Sequence, residues 1–460
     1  MKADVHEFNF DGFEVKKTKE RDEKLKATTY QYTLTHCVAL KEEDDAPSTS
    51  FSWPHLVIVT KSYTNKSGKQ VTLFNSVDDL YSWYSYLVSK TPDQTGFLRK
   101  KVEELVAGKT TDTDKIKAIY YWVQDNIRYI AFERGLAGFV PESAEKVYTT
   151  KYGDCKGMAN LMTNMLKMAG FDARLAWIGT RDIPYDYSLP SMVVDNHMIC
   201  ALMLKDSIYF LDGTESFISF GDYAYRIQGR PALIQDGKKY LIKSVPDLPK
   251  ERNKTQMNIS MTLDGETLKG KSMNVFNGES QTDLLRYYST TKSDQKEDLL
   301  NYLANRGDKN YAISNLKTSD LTDRENPLQL EYDFDMQNKV TRAGNETYVS
   351  IDFSNDFTDK LPDEKRQNDY EFSEKIYRIY QTEFLVPSGY QVKYLPESLS
   401  VNQPDYKFNV SYQQQDNKII MNKTLSIDNG VIRKSIFEQW KKDLRQLKAI
   451  SAEQVVLEKK

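Results

Sequence analysis

The hydrophobic period of this chain changes twice along its length, and that succession limits the folds open to it. Up to about residue 92 the period is that of strands: "TTYQYTLTH" alternates, with Tyr30, Tyr32 and Leu34 on one face, and "HLVIVTKSY", His55 to Tyr63, is a β-branched run. From about Phe97 it becomes helical. "DKIKAIYYWVQDNIRYI" places Ile116, Ile119, Tyr120, Val123 and Ile127 on one stripe behind a capping cluster, Asp112-Thr113-Asp114. "YGDCKGMANLMTNMLKMAGF", Tyr152 to Phe171, continues the helical period and closes at Gly170, suited to the left-handed position past a helix end. Strand-like runs then start at Ala173, His197 and Ser207, the last two joined by a short turn at Lys205-Asp206. Helices followed by an antiparallel sheet are an α+β order, and it ends near Pro249.

Beyond Pro249 alternation resumes, punctuated by Asp264-Gly265, Asn277-Gly278 and Asn429-Gly430, dipeptides that favour hairpin turns. This is β-sandwich material, with one helix, "SDQKEDLLNYLANRG", expected to interrupt it. Near the C-terminus "VIRKSIFEQWKKDLRQLKAI" sets Ile436, Trp440, Leu444 and Leu447 on one face. Its polar face mixes charge signs, so packing on the neighbouring sheet is expected over binding to a membrane surface. At roughly 100–200 residues per domain, 460 residues suggest about three domains. The expected organisation is a β-rich domain over 1–92, a mixed core over 93–248, and a β-sandwich-like domain with one or two helices over 249–460.

A formal net charge of −3, from 63 basic and 66 acidic residues, leaves no global field to hold nucleic acid or an anionic membrane. The run "VKKTKERDEKLK", Val15 to Lys26, is broken by acidic residues and fits a solvated face. Cys37, Cys155 and Cys200 leave one thiol over in any pairing, so a disulfide framework is not expected. The N-terminus "MKADVHEFNF" lacks an apolar signal region and no stretch approaches the ~20 apolar residues of a membrane span. As given, the chain shows no targeting segment; an exported protein without its leader would look the same.

The sequence has no GxGxxG, Walker loop, GxSxG elbow or CxxC. Its four histidines, His6, His36, His55 and His197, include no i,i+3 or i,i+4 pair, so no metal site is expected. Cys155 lies in phase with Met158, Ala159, Met162, Leu166 and Ala169, as a buried structural thiol would. Yet it stands in a first helical turn, where free N–H groups and the helix dipole favour thiolate, after a tight Gly153-Asp154 entry.

A nucleophilic thiol needs a base, and His197 opens the apolar strand "HMICALML". The base needs an orienting acceptor, which "YFLDGT" supplies as Asp212 at the end of the next strand, diagonal to His197 at ~7–8 Å between Cα atoms. Asp195, two residues before His197, ranks second because its side chain would stand parallel to the ring. His6, His36 and His55 fit ordinary surface or strand positions, and Cys200 alternates into the core. The loop Arg181 to Met192, with Pro184, Tyr185, Tyr187 and Pro190, is expected to border a substrate cleft.

With these residues placed, "KIKAIYYWVQDNIRY", "PESAEKVYTTKYGDCKGMANLMTNMLKMAGFDARLAW", "NHMICAL" and "YFLDGT" resemble the transglutaminase-like superfamily of papain-type thiol enzymes over roughly residues 97–245. With β-rich flanks, including "FLVPSGYQVKYLP" from Phe384, the whole is similar to bacterial exported proteins that carry such a domain between two domains of unknown function. The resemblance implies an α+β papain-like core flanked by β-sandwich-type domains, a Cys155-His197-Asp212 triad, thioester chemistry without a cofactor, and a periplasmic or cell-envelope location, the alternative being a cytoplasmic one. Gly157 departs from it, since these relatives more often carry an acidic residue after "GDCK". The N-terminal sandwich is also short for this group.

An oxyanion donor is required as well: the backbone N–H of Cys155 first, then Gln124, with Trp122, Tyr148 and Tyr152 as alternatives. The implied function is hydrolysis or acyl transfer at amide bonds of peptides or proteins. The competing one is a non-catalytic scaffold that binds protein or glycan. Neither involves nucleic acid.

Overall fold

In the computed structural model, which describes residues 1–37, 39, 41–91, 95–131, 134–354, 356–357 and 360–460, the apolar runs of the middle segment become neighbouring strands of one antiparallel sheet. Their order is His197–Leu204, Asp172–Ile178, Pro231–Asp236, Lys239–Ser244. The first six residues of the His197 strand are buried without alternation, the pattern of a strand covered on both faces. Leu175, Trp177, Met198 and Leu233 meet Leu80, Tyr81, Tyr84 and Leu87 of the helix Val77–Val88 and Ala159 of the helix Cys155–Met168.

The chain divides into two compact units. One comprises residues 1–103, 129–208 and 229–245, the other residues 104–128, 209–228 and 246–460. The expected core, 93–248, thus contributes to both, and the boundary expected between residues 92 and 93 lies outside the described residues.

The first unit begins with a three-stranded antiparallel sheet, Lys2–Phe8, His55–Thr64 and Gln70–Thr72, and a separate, largely exposed hairpin, Glu14–Asp22 with Ala27–Thr35. The segment expected to be purely β-rich also holds the helix Val77–Val88. Ser76 and Asp79 form its capping box, and Leu80, Tyr81, Tyr84 and Leu87 are its buried stripe.

The second unit is built on an eight-stranded sheet, in the order Tyr311–Thr318, Leu328–Met336, Thr267–Phe276, Lys254–Asp264, Ile376–Leu385, Lys418–Ile427, Tyr406–Gln415, Leu399–Asn402. Its neighbours are antiparallel except at the centre, where Lys254–Asp264 and Ile376–Leu385 run parallel. A four-stranded sheet, Val340–Ala343, Glu346–Val349, Val455–Lys459 and Tyr390–Tyr394, shares its core. The C-terminal helix Phe437–Ala452 packs there as expected, with Trp440, Leu444 and Leu447 among Phe384, Tyr406 and Phe408.

Two of the three dipeptides expected at hairpin turns do not form one; Asn429-Gly430 joins the strands Lys418–Ile427 and Val431–Ile432, which pair with other strands. Asp264-Gly265 does begin a hairpin turn, with Gly265 at positive φ and Asp264 paired with Thr267. Asn277-Gly278 does not: it opens a helix, Gly278–Thr290, that precedes the expected one at Lys296–Asn305. Gly278 sits at φ +59, and a Cβ there would lie 2.2 Å from Asn253 Oδ1 and 2.5 Å from the Arg252 carbonyl oxygen. The glycine is needed for a close backbone approach at a helix start.

Within this unit the helix Asp112–Asn126 buries Ile116, Ile119, Tyr120 and Val123 as its stripe predicts. Its other edge is held by polar contacts. Arg324 donates to Gln124 Oε1 at 2.6 Å and to Asp125 at 2.7 Å, and Lys117 pairs with Glu325 at 2.6 Å. These contacts explain why the helix groups with residues beyond 246.

Candidate active site

Cys155 is the first residue of its helix. Asp154 caps it, accepting from Gly157 N at 2.9 Å, and its second carboxylate oxygen takes the Lys156 ammonium at 2.5 Å. Both side chains are almost wholly buried. The N–H groups of the first turn precede any intrahelical acceptor, so those of Cys155 and Lys156 are open to an anion. Gly157 has a packing reason: a Cβ there would lie 2.9 Å from Val147 Cγ2 and 3.3 Å from Glu142 Cβ. Glycine at this position lets the helix Ala144–Thr150 pack closely.

His197 is the first residue of its strand, opposite Ile178, the last of its neighbour. Asn196 fixes the approach to it: Thr180 N donates to Asn196 Oδ1, and Asn196 Nδ2 donates to Thr180 Oγ1, each at 2.9 Å. Cys155 and His197 line one cavity of about 350 Å³, together with Lys156, Asp195 and Asn196. Its apolar wall includes Tyr84, Tyr129, Phe139 and Trp177, with Tyr84 stacked on Trp177 at 4.8 Å.

Asp195 does not bond His197. Its carboxylate accepts from Tyr84 Oη at 2.8 Å and from Tyr187 Oη at 2.7 Å. Burial pushes this carboxyl up to about 6, against the two phenol donors and the nearby Arg230 charge. Burial and the Asp195 charge hold both phenols well above their ordinary range, so they remain neutral donors.

Asp212 and Gln124 belong to the second unit. Asp212 directly follows the strand Ser207–Leu211. One of its oxygens accepts from Thr214 N at 3.0 Å and Thr214 Oγ1 at 2.7 Å, and the other from Arg226 at 2.7 Å. Gln124 donates to the Ile218 carbonyl at 3.2 Å and accepts from Arg324. Its amide is occupied as a clamp within that unit.

The loop Arg181 to Met192 reaches the cavity through Met192 alone, whereas its aromatics turn inward. Tyr185 hydrogen-bonds His55 and packs edge-on to Phe8, and Tyr187 supports Asp195. His55 stacks on Phe8, and His36 pairs with Glu14 at 2.9 Å, ordinary settings for strand and surface histidines. Cys37, Cys155 and Cys200 are all free, and burial pushes the Cys200 thiol up to about 11. Among the described residues no group of three or more His, Cys, Asp or Glu is placed to hold a metal ion, and no helix is long and apolar enough to cross a membrane. Sequence reasoning missed Lys156 and the phenol pair on Asp195. The "GDCK" spacing signals the first, and nothing local signals the second.

Residues 99–204 match the family model for the "Transglutaminase-like superfamily", and residues 345–457 match a "Domain of Unknown Function", DUF3858. A crystal structure of a "putative protease" from Parabacteroides distasonis ATCC 8503 superposes with a TM-score of 0.60 at 11% identity, covering 99% of this chain and 70% of the other. A "putative cysteine protease" from Cytophaga hutchinsonii has a TM-score of 0.22 at 16% identity, over 33% of this chain and 60% of its own. The first likeness is one of fold, and the second is too low to carry an argument. No curated protein has significant similarity to the chain. Residues 99–204 are accordingly a transglutaminase-like domain, an α+β core that this chain joins to β-sheet-rich flanks.

Proposed function

We propose that the protein is a thiol hydrolase or acyltransferase acting on amide bonds of peptide or protein substrates, with Cys155 as nucleophile, His197 as base and Asp212 as orienter. The observation that carries this reading is that Cys155, at the open N-terminus of its helix, and His197, at the start of its strand, line the same cavity. The transglutaminase-like match over 99–204 supports it. In this reading His197 takes the thiol proton and the sulfur attacks the amide carbonyl carbon. The oxyanion faces the Cys155 N–H, and the helix N-terminus stabilises its charge. The imidazolium gives its proton to the departing amine as the C–N bond breaks, leaving a thioester that water or a second amine resolves. No cofactor enters this scheme.

Asp212 also accepts hydrogen bonds from Thr214, as a turn residue does, so its competing role is a local backbone cap. A domain division at residues 92 and 248 and a bacterial periplasmic or cell-envelope location are part of the same proposal, on the strength of the sequence resemblance. The competing reading, a scaffold that binds protein or glycan, draws on the large second unit.

Iodoacetamide labelling with mass-spectrometric mapping separates the two. Cys155 is expected to label at pH 6.5 at least tenfold faster than the exposed Cys37, with His197→Ala and Asp212→Asn each slowing it and their combination adding little. Equal labelling of Cys155 and Cys37 returns Cys155 to a structural role. An unchanged rate in a folded Asp212→Asn protein removes Asp212 from the triad.

A further inference from the structure

The Cys155 cavity contains a charge that the amide chemistry does not use. Asp195 lines its wall, half-buried, and among the described residues receives hydrogen bonds only from the neutral phenols of Tyr84 and Tyr187. Among the described residues it has no ion-pair partner. The two cations nearest the question are committed elsewhere: Lys156 is paired with Asp154, and Arg230 donates to the Gly179 and Tyr185 carbonyls at 2.7 Å each. A carboxylate in a poorly solvated wall with no cation in direct contact is costly, and its pKa stays raised despite the nearby Arg230 charge. A cationic ligand would relieve it. Around it stand the stacked rings of Tyr84 and Trp177, with Tyr129 and Phe139 on the same wall, and aromatic faces attract ammonium groups.

We infer that Asp195 is a specificity residue that binds a primary ammonium group of the substrate, so that the cavity selects acyl donors carrying a free amine close to the carbonyl presented to Cys155. This rests on the reading of Cys155 as nucleophile. The ammonium could be the α-amine of an amino-terminal residue or the ε-amine of lysine, which share this chemistry. The phenols of Tyr84 and Tyr187 hold the carboxylate in place, each leaving a lone pair of its oxygen for the ligand. The cavity volume, at the low end for small-ligand sites, suits a single residue better than an extended chain.

Calorimetric titration of the full chain at pH 7 with L-alaninamide, N-acetyl-L-alaninamide and Nα-acetyl-L-lysinamide tests this. One of the two amines is expected to bind at least tenfold more tightly than N-acetyl-L-alaninamide. Preference for alaninamide assigns the α-ammonium, and preference for the lysine compound assigns the side chain. Asp195→Asn is expected to reduce the preference to less than threefold. A measurement on the unaltered protein covers the case in which that variant fails to fold. With the carboxyl at about 6, lowering the pH from 7 to 5 removes most of its charge, and amine binding should weaken by about tenfold. Lys156, in the same cavity, and Arg230, near the carboxylate, carry their positive charge at both pH values, whereas His197 gains charge on acidification and adds repulsion, and a folded Asp195→Asn protein isolates its share.

Equal binding of alaninamide, the lysine compound and the acetylated amide overturns the inference, as does a preference that survives in Asp195→Asn. Iodoacetamide labelling of Cys155 keeps the two readings apart. A reactive Cys155 without amine preference sinks only the ammonium site, whereas amine preference with an inert Cys155 sinks only the thiol chemistry.

Discussion

The start of the Cys155 helix offers a quantitative test, because Asp154 does two jobs with one carboxylate. As cap it accepts from Gly157 N at 2.9 Å, and as counter-ion it faces the Lys156 ammonium at 2.5 Å. With side chains only 3% and 9% exposed, neither partner can exchange the other for water. Asp154→Asn keeps an oxygen for the cap but leaves Lys156 as an uncompensated buried charge, at a cost of about 3–5 kcal/mol. Asp154→Ala loses the cap as well, adding about 0.5–2 kcal/mol. Replacing both partners by Asp154→Asn with Lys156→Met keeps the cap and removes the charge. That protein should lie within about 1–2 kcal/mol of the unaltered one, since an apolar substitute for a buried ion pair is often neutral. Urea denaturation followed by near-ultraviolet circular dichroism gives the ranking, and tryptic cleavage near residue 155 reports whether the loss is local. The expected order of stability is unaltered and double variant together, then Asp154→Asn, then Asp154→Ala. If Asp154→Asn costs less than about 1 kcal/mol, the Lys156 charge is solvated and the argument from burial fails. If the double variant is no better than Asp154→Asn, the cost lies in the cap.

Burial pushes Glu279 up to about 7 and, with the Glu279 charge adding to the effect, Glu374 up to about 8. A carboxyl whose folded pKa exceeds its unfolded one loses stability as pH rises through the interval between them, here from about 4.5 to about 8 for Glu374. Glu374→Gln should therefore stabilise the second unit by about 2–4 kcal/mol at pH 8.5 and by little at pH 5, and equal thermal shifts at both pH values would contradict this. Gly157→Asp should destabilise by about 1–3 kcal/mol through overpacking against Val147, whose β-branched side chain is stiff, and Val147→Ala should restore part of the loss. No rescue in the melting temperature of the pair would point away from this contact. Arg324→Ala removes the charge-assisted bonds to Gln124 and Asp125 and the cation over the Tyr121 ring. It should cost about 2–4 kcal/mol and raise amide hydrogen exchange along Asp112–Asn126, and unchanged exchange there would mean the helix is held by its apolar stripe alone.

Local signals were legible wherever one element answers to its own residues. The stripe Ile116, Ile119, Tyr120 and Val123, the helix starting at Cys155, the strand opening at His197 and the Trp440 face all follow from hydrophobic period, which burial on one side enforces whatever the partner is. The helix Val77–Val88 was legible too, in "SVDD" followed by Leu80, Tyr81, Tyr84 and Leu87, but the β-branched run before it masked the change of period. Asn277-Gly278 misled because the same dipeptide serves a hairpin turn and a helix start. Which one occurs depends on the Arg252 and Asn253 backbone pressed against Gly278, a contact between segments apart in sequence.

At the site the division is similar. That Cys155 heads a helix, that His197 heads a strand, and that residues 97–245 resemble a transglutaminase-like core can be read along the chain, because these rest on pattern and motif. What surrounds them depends on how distant segments pack. The fold placed Lys156 against Asp154 and brought Tyr84 and Tyr187, 103 residues apart, onto Asp195. It also turned the aromatics of the loop Arg181 to Met192 inward, and spent the Gln124 amide on Ile218 and Arg324. Hydrogen-bond partners and desolvation are properties of residues distant in sequence that share a small volume, and no periodicity along the chain encodes them.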